Sequence, residues 1–368
     1  MNNDADIKVS VVVPIYNAYD YLRPALDSVL DQTLAELEII CVDDGSTDHS
    51  LEILKEYQGR DDRIRIVTET NAGPARARNN GMQRARGEYV AFLDADDFLE
   101  PTFLEKLYVL AKKDNLDIAI SRYDIYNTRR AKFEPASPAD NSNIFTPGVV
   151  TSKSEHPDFI LSSTVSSPWN KLFRRTFLEE KKLVFLTDVK MYEDVYFVVT
   201  AMSLAQRVGK VFEVLMHHRI HSEQARAKMF KRYYSQIPLV YLKIKEFLMQ
   251  HGMYAPLSVS YLNLSASRCY KIFNLLLSDS KEIFWNQIFS EYAESLGWGA
   301  DALSDITDGD VREFVTNVRC YDYAQYKKRC QKGKSVDFSK HGDVEQKTES
   351  ESEKGRIFSF FKGFFSKK

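Results

Sequence analysis

From Ile7 to Arg122 the sequence alternates short, β-branched apolar runs with stretches whose apolar residues recur at helical spacing, and this alternation constrains the fold most. The segments Ile7–Val13, Leu37–Val42, Arg63–Thr68, Glu88–Leu93 and Asp117–Ser121 predict strands. Between them, Tyr21–Gln32, Ser50–Tyr57, Pro74–Arg86 and Pro101–Asp114 predict helices. A strand that is apolar along its whole length must be covered on both faces, and parallel neighbours need a crossover helix between them. The pattern therefore predicts an α/β fold: a Rossmann-like, mostly parallel sheet with helices on both faces. Start signals agree, because Ser46-Thr47-Asp48 can cap the second helix and Pro101 stands where a first-turn proline is tolerated.

The rest of the chain divides by composition. At roughly 150 residues per domain, 368 residues suggest about two domains. Residues Asn127–Ser154 are rich in Pro, Ser, Asn and Asp and predict a long loop or an inserted edge, and Asp158–Val214 returns to mixed structure. From Met229 to Cys330 the pattern is helical and aromatic, which predicts a C-terminal helical appendage whose rings form a core. The boundaries expected are an α/β domain over 1–228, with halves of about 7–122 and 123–228, and the appendage over 229–330. A flexible linker over 331–355 and an amphipathic basic tail over 356–368 follow. In that tail Ile357, Phe358, Phe360, Phe361, Phe364 and Phe365 would share one helical face opposite Arg356, Lys362, Lys367 and Lys368. This is the pattern of a helix that lies in a membrane interface.

No apolar run reaches the ~20 residues that span a bilayer. Cys41, Cys269, Cys320 and Cys330 form no C-x-x-C pair and read as reduced thiols, so the expected location is cytoplasmic, peripheral at the inner face of the cell membrane. Charged residues nearly balance, at a net −2, which gives no reason to expect nucleic acid as a partner.

In an open parallel sheet, ligands bind beyond the carboxyl ends of the strands. After the first strand comes Pro14-Ile15-Tyr16-Asn17, and after the second Asp43-Asp44-Gly45-Ser46-Thr47-Asp48. The third leads through Asn71-Ala72-Gly73-Pro74 to Arg76, Arg78 and Asn79, and the fourth to Asp94-Ala95-Asp96-Asp97. Crowded carboxylates call for a cation, and oxygen ligands select hard ions such as Mn²⁺ or Mg²⁺, which also hold substrate phosphates. Arginines nearby suit the same phosphates, Tyr16 can stack on a base, and Asp44 can accept from a base N–H. Taken singly, Asp43-Asp44-Gly45-Ser46 reads equally as a turn and helix cap, and Asp94-Ala95-Asp96-Asp97 as a solvated acidic turn. Their joint placement at neighbouring strand ends favours a metal-dependent nucleotide-diphosphate site. Neither a Gly-x-Gly-x-x-Gly after the first strand nor a Gly-x-x-x-x-Gly-Lys-Ser/Thr occurs, which disfavours dinucleotide and P-loop enzymes.

The segments VSVVVPIYNAYDYL, VDDGSTD, NAGPARARNNG and GEYVAFLDADD resemble, in order and spacing, the nucleotide-sugar half of a glycosyltransferase family 2 enzyme of GT-A fold. A fainter resemblance runs through WNKLFRR (Trp169–Arg175) and YEDVYF (Tyr192–Phe197) to HRIHSEQ (His218–Gln224). It implies that Pro14, Tyr16 and Asp44 line the base pocket, that Arg78 approaches the diphosphate, and that Asp94 lies near the ribose. Asp96 would bind the metal, Asp97 would support the sugar end, Asp194 would be the catalytic base, and His221 would assist the metal or diphosphate.

The residues themselves support Asp194 less specifically. Glycosyl transfer needs a carboxylate to take the acceptor's proton, but Asp194 could equally be a helix-start acid favoured by the helix dipole. His217 and His221 are spaced for zinc, but no third ligand follows by spacing. Lys171 is read either as facing the acceptor or diphosphate or as an ordinary ion pair.

The expectation is an inverting hexosyltransferase that moves a sugar from a nucleotide-diphosphate sugar, by default a UDP-hexose, to a glycan or lipid-linked acceptor with help from a divalent cation. The alternatives are a non-catalytic nucleotide-sugar sensor or scaffold, and a nucleotidyltransferase.

Overall fold

The computed structural model describes residues 7–136, 144–221, 230 and 232–331. The chain folds as two compact units: Met1–His156 with Ser163–Gln224, and Pro157–Ser162 with Ala225–Lys368. The expected linker and basic tail lie outside the described residues, apart from Gln331.

The first unit is built on one mixed sheet. Its strands are β1 (Val9–Ile15), β2 (Leu37–Asp43), β3 (Ile64–Thr68), β4 (Tyr89–Phe92), β5 (Phe98–Leu99), β6 (Ile118–Asn127), β7 (Lys132–Pro135), β8 (Lys171–Arg174) and β9 (Val208–Ile220). Among the described residues the order is β3-β2-β1-β4-β8-β6-β9-β5, with β7 paired to β6. The first four strands are parallel, as their apolar runs predict, with Val9 opposite both Leu37 and Tyr89. Every residue of β2 and β4 is buried, which is what two covered faces require.

Helices α1 (Tyr19–Leu30), α2 (Ser50–Gln58), α3 (Pro74–Gln83) and α4 (Phe103–Lys113) alternate with these strands. Pro101 stands in the turn before the Thr102 N-cap, ahead of the helix and not in its first turn. Asp48 accepts from Ser50 N at 3.0 Å and so does help to start α2.

The expected fifth parallel strand is not β4's neighbour. The antiparallel strand β8 lies between β4 and β6, and β6 extends to Asn127 as a ten-residue strand. Part of segment 127–154 is an inserted edge and not a loop: β7 returns along β6 as a hairpin with Asn127 opposite Lys132. β9 runs parallel to β6 past a bulge between Ser121 and Tyr123. Two further helices, α5 (Arg175–Glu180) and α6 (Glu193–Leu204), complete the unit.

The second unit is helical, as expected: α7 (Ile237–Gln250), α8 (Tyr254–Leu275), α9 (Ser278–Gln287), α10 (Gly309–Cys320) and α11 (Tyr323–Gln331). Its aromatic residues are core. Trp285 and Trp298 are fully buried, and their indole N–H groups donate to Tyr321 O at 2.8 Å and Ser265 Oγ at 3.2 Å. Residues 157–162 also belong to this unit, where Leu161 N donates to Ser260 Oγ at 3.1 Å. All four cysteines are free. No described helix is long and apolar enough to cross a membrane.

Candidate active site

Because β1, β2, β3 and β4 are parallel, their carboxyl ends share one edge of the sheet. Pro14, half-buried, is in register with Val42, and Asp44 N donates to Ile15 O at 2.8 Å, which sets Tyr16 and Asp44 side by side. The Tyr16 ring is 51% exposed. Asn17 adopts φ 50°, a conformation asparagine tolerates, and its side-chain oxygen accepts from Thr47 N at 2.8 Å.

Asp44 itself is buried. Its two oxygens accept from Ala72 N at 2.7 Å and Gly73 N at 2.8 Å, tying the Asp-Asp-Gly turn to the Asn-Ala-Gly turn. Gly45 makes that approach possible: at φ 71° it is left-handed, and a Cβ there would lie 2.9 Å from Asn71 N. Asp44 thus joins the two turns, the structural role that its turn reading in the sequence allowed.

Arg78, on α3, reaches across the edge. Its Nη2 donates to Asp94 at 2.7 Å and its Nη1 to Glu193 at 3.1 Å, at the start of α6. Burial works against this guanidinium, but Asp94, Glu193 and Asp194 outweigh it and hold its pKa above the ordinary value. Arg78 is only 6% exposed, so it offers a narrow face to a diphosphate and mainly draws the Asp94 turn and the Glu193-Asp194 pair together. Asp194, partly buried, accepts from Ser167 Oγ at 3.3 Å. Tyr192, the residue before this pair, has φ 65°, an uncommon conformation for a bulky side chain, of the kind that clusters at functional sites.

The Asp94-Ala95-Asp96-Asp97 turn leads directly into β5, and β5 pairs with β9 so that Phe98 lies opposite His217. This pairing carries the end of β9 to the acidic turn. His221 Nε2 stands 3.1 Å from Asp96 Oδ2, with its ring packed at a 32° tilt against Tyr21, centroids 4.1 Å apart. Burial pushes the Asp96 carboxyl up, but the hydrogen bond to His221 and the charges of His218 and His221 prevail and hold it below its usual range.

Asp97 corrects an expectation. It is fully buried, pairs with His218 Nδ1 at 3.0 Å and accepts from Arg219 N at 2.8 Å, so it presents no surface to a sugar. Burial, with Asp96 and Asp94 beside it, pushes its pKa up to about 6 despite His218. Its role is to lock the acidic turn onto β9. The His218 and Arg219 contacts could be read from the sequence only as part of a faint motif.

Asp96 and His221 are the two residues of this turn that could hold a metal. Cis ligands of an octahedral ion at ~2.1 Å stand about 3 Å apart, and the 3.1 Å between Asp96 and His221 matches such a pair. Carboxylate plus imidazole suits Mn²⁺ somewhat better than Mg²⁺. Among the described residues no three or more His, Cys, Asp or Glu side chains are placed to hold an ion. The zinc arrangement of His217 with His221 does not form. Both nitrogens of His217 are taken, by Asp124 at 2.6 Å and Glu100 at 2.8 Å. Lys171 faces neither acceptor nor diphosphate: it is fully buried, and its ammonium donates to Val165 O, Ser167 O and Asn170 Oδ1 at 2.7 to 2.8 Å.

The chain is similar to known glycosyltransferases in sequence and in fold. Residues 10–181 match the family model described as glycosyl transferase family 2. EpsH of Bacillus subtilis (strain 168), a protein named as a glycosyltransferase, is 32% identical over 247 residues, covering 66% of this chain and 70% of EpsH. A poly(ribitol-phosphate) beta-glucosyltransferase of Bacillus spizizenii is 31% identical over 55% of this chain, a match that spans only 31% of that longer protein. Among solved structures, residues 1–349 of S. aureus TarS in complex with UDP-GlcNAc superpose with a TM-score of 0.70 at 21% identity, over 89% of this chain and 92% of that one. That likeness establishes the GT-A fold.

Proposed function

The chain belongs to glycosyltransferase family 2, and from that premise we propose that it transfers a sugar from a UDP-sugar to a hydroxyl acceptor by metal-assisted single displacement with inversion. The observation that carries this reading is the bridge made by Arg78. One buried guanidinium joins Asp94, on the donor side, to the Glu193-Asp194 pair more than ninety residues away in sequence.

Pro14, Tyr16 and Asp44 would receive the base, and Asp94 would face the ribose. Asp96 and His221 would hold a divalent cation, which supplies positive charge to the departing nucleoside diphosphate. Asp194 takes the proton from the acceptor hydroxyl as its oxygen attacks the anomeric carbon opposite the leaving group, which inverts that centre. UDP as the nucleotide is supported by the UDP-GlcNAc that TarS binds on the same fold. A surface-polysaccharide or lipid-linked acceptor is supported by the poly(ribitol-phosphate) acceptor named for one relative. The amphipathic tail 356–368 would hold the enzyme at the inner membrane surface where such acceptors are built.

The test is nucleoside diphosphate release by the purified full chain from UDP-, GDP- and dTDP-sugars with Mn²⁺, Mg²⁺ or EDTA. We expect metal-dependent release of UDP. Asp96→Ala should abolish the metal dependence together with turnover. Asp194→Asn should lose turnover and keep UDP binding, and full transfer by that variant would refute the assignment of the base.

A further inference from the structure

The buried stretch Thr164–Lys171 takes no direct part in this chemistry, yet it lies against the Asp194 carboxylate. Its last three residues are anchored in three separate directions. The Trp169 ring stacks on His218 at 5.6 Å and meets Tyr123 edge-on at 4.6 Å. Asn170 is bound reciprocally to the bulge of β6: its Nδ2 donates to Ser121 O at 2.8 Å, and its carbonyl accepts from Ser121 N at 2.9 Å. Lys171 turns back on its own loop, donating to Val165 O at 2.7 Å and to Ser167 O and Asn170 Oδ1 at 2.8 Å.

An ammonium is expensive to bury, and the cost is met only when its hydrogen bonds are satisfied by well-placed partners. Here the three acceptors belong to the short loop itself, so the loop cannot shift without exposing a buried charge. Trp169 and Asn170 fasten the same loop to β9 and β6. The consequence is one hydroxyl held still: Ser167, 4% exposed, with Oγ 3.3 Å from Asp194 Oδ2. The other carboxylate oxygen accepts from Val195 N at 2.8 Å, so a contact orients each oxygen.

We propose that Ser167 is a positioning residue for the transfer reaction. Its hydroxyl holds the Asp194 carboxylate in the orientation that receives the acceptor's proton, and the buried Lys171 ammonium holds the loop that carries it. The inference rests on Asp194 being the base. Proton transfer demands alignment of donor and acceptor, so a carboxylate free to rotate loses rate without losing substrate.

The test compares full-length wild type with Ser167→Ala, Ser167→Thr, Lys171→Met and Asp194→Asn. Hydrolysis is measured with whichever of UDP-glucose, UDP-galactose and UDP-N-acetylglucosamine the wild type turns over fastest, and UDP binding by calorimetry. Ser167→Ala should lose about ten- to a hundredfold in kcat, the scale of a reacting group misplaced by up to ~1 Å, with donor KM and UDP affinity unchanged. Ser167→Thr, which keeps the hydroxyl, should recover most of that loss, and Lys171→Met should share it. Should Lys171→Met fail to fold, the two Ser167 variants decide alone. Wild-type kcat in Ser167→Ala, a Ser167→Thr as slow as Ser167→Ala, or weakened UDP binding in Ser167→Ala would each overturn the proposal even with Asp194→Asn inactive. A fully active Asp194→Asn would instead remove the base reading on which it stands.

Discussion

Gly81→Ala probes the packing that aims Arg78. Gly81 lies in the last turn of α3, where that helix packs on β1. A Cβ at this position would stand 2.3 Å from Val12 Cγ1 and 3.2 Å from Cγ2, and Val12 is fully buried with nowhere to retreat. Two effects oppose each other. Alanine is favoured over glycine inside a helix by about 1 kcal/mol. Overpacking a rigid core typically costs ~1–3 kcal/mol, and a contact this short belongs at the upper end. The net expectation is a loss of about 1–2 kcal/mol. Val12→Ala alone should cost about 2 kcal/mol for its lost methyls. It also removes both clashing atoms, so the double variant should cost at least ~1 kcal/mol less than the sum of the singles. Hydrogen exchange of the β1 and β2 amides reads this in the first unit alone. Since α3 also carries Arg78, kcat should fall in Gly81→Ala and recover in part in the double variant. Strict additivity, or slower exchange in Gly81→Ala, would refute the reasoning.

Two further predictions follow from buried polar side chains and their partners. Burial disfavours the His217 imidazolium, but Asp124 and Glu100 more than offset it, so its pKa stands above the usual 6.5. A raised folded-state pKa stabilises fully below the unfolded value and is lost as pH rises through the folded one. The melting-temperature advantage of wild type over His217→Gln should therefore be largest near pH 6 and shrink toward pH 9; an advantage that grows with pH would contradict it. Asp44→Asn would turn an amide N–H₂ toward either Ala72 N or Gly73 N, leaving one buried donor unpaired at a cost of about 1–3 kcal/mol. Its melting temperature should drop and its UDP affinity weaken together, and calorimetry showing wild-type affinity would separate Asp44 from the base pocket.

Much of the donor half was legible in the chain because its information is local. The apolar runs of β1, β2 and β4 forced a doubly covered parallel sheet, and Pro14, Asp44 and Asp94 follow directly from the strand ends they terminate. The second half was less legible, because strand β8 is four residues long and joins β4 antiparallel after an excursion of about eighty residues. Its sequence, Lys-Leu-Phe-Arg, sets only two apolar residues between two charged ones, whereas the equally short β4 is apolar throughout. Glu193 was visible only as the neighbour of Asp194, and Ser167 carried no signal at all. Neither the ligand nor the ion-pair reading of Lys171 holds, and Asp97 faces no sugar, because both side chains are fully buried and bound to protein.

By itself, then, the sequence determined the strand–helix alternation, the polar turns at the strand ends and the family they match. Tertiary structure alone decided which of those polar groups meet. The pairing of β5 with β9 brings His221 to Asp96, and the reach of Arg78 brings Glu193 to Asp94. Apolar periodicity specifies which face of an element is buried. It does not specify which distant segment supplies the counter-charge for a buried carboxylate, because that partner is selected by the cost of leaving the charge unpaired once the chain has closed around it.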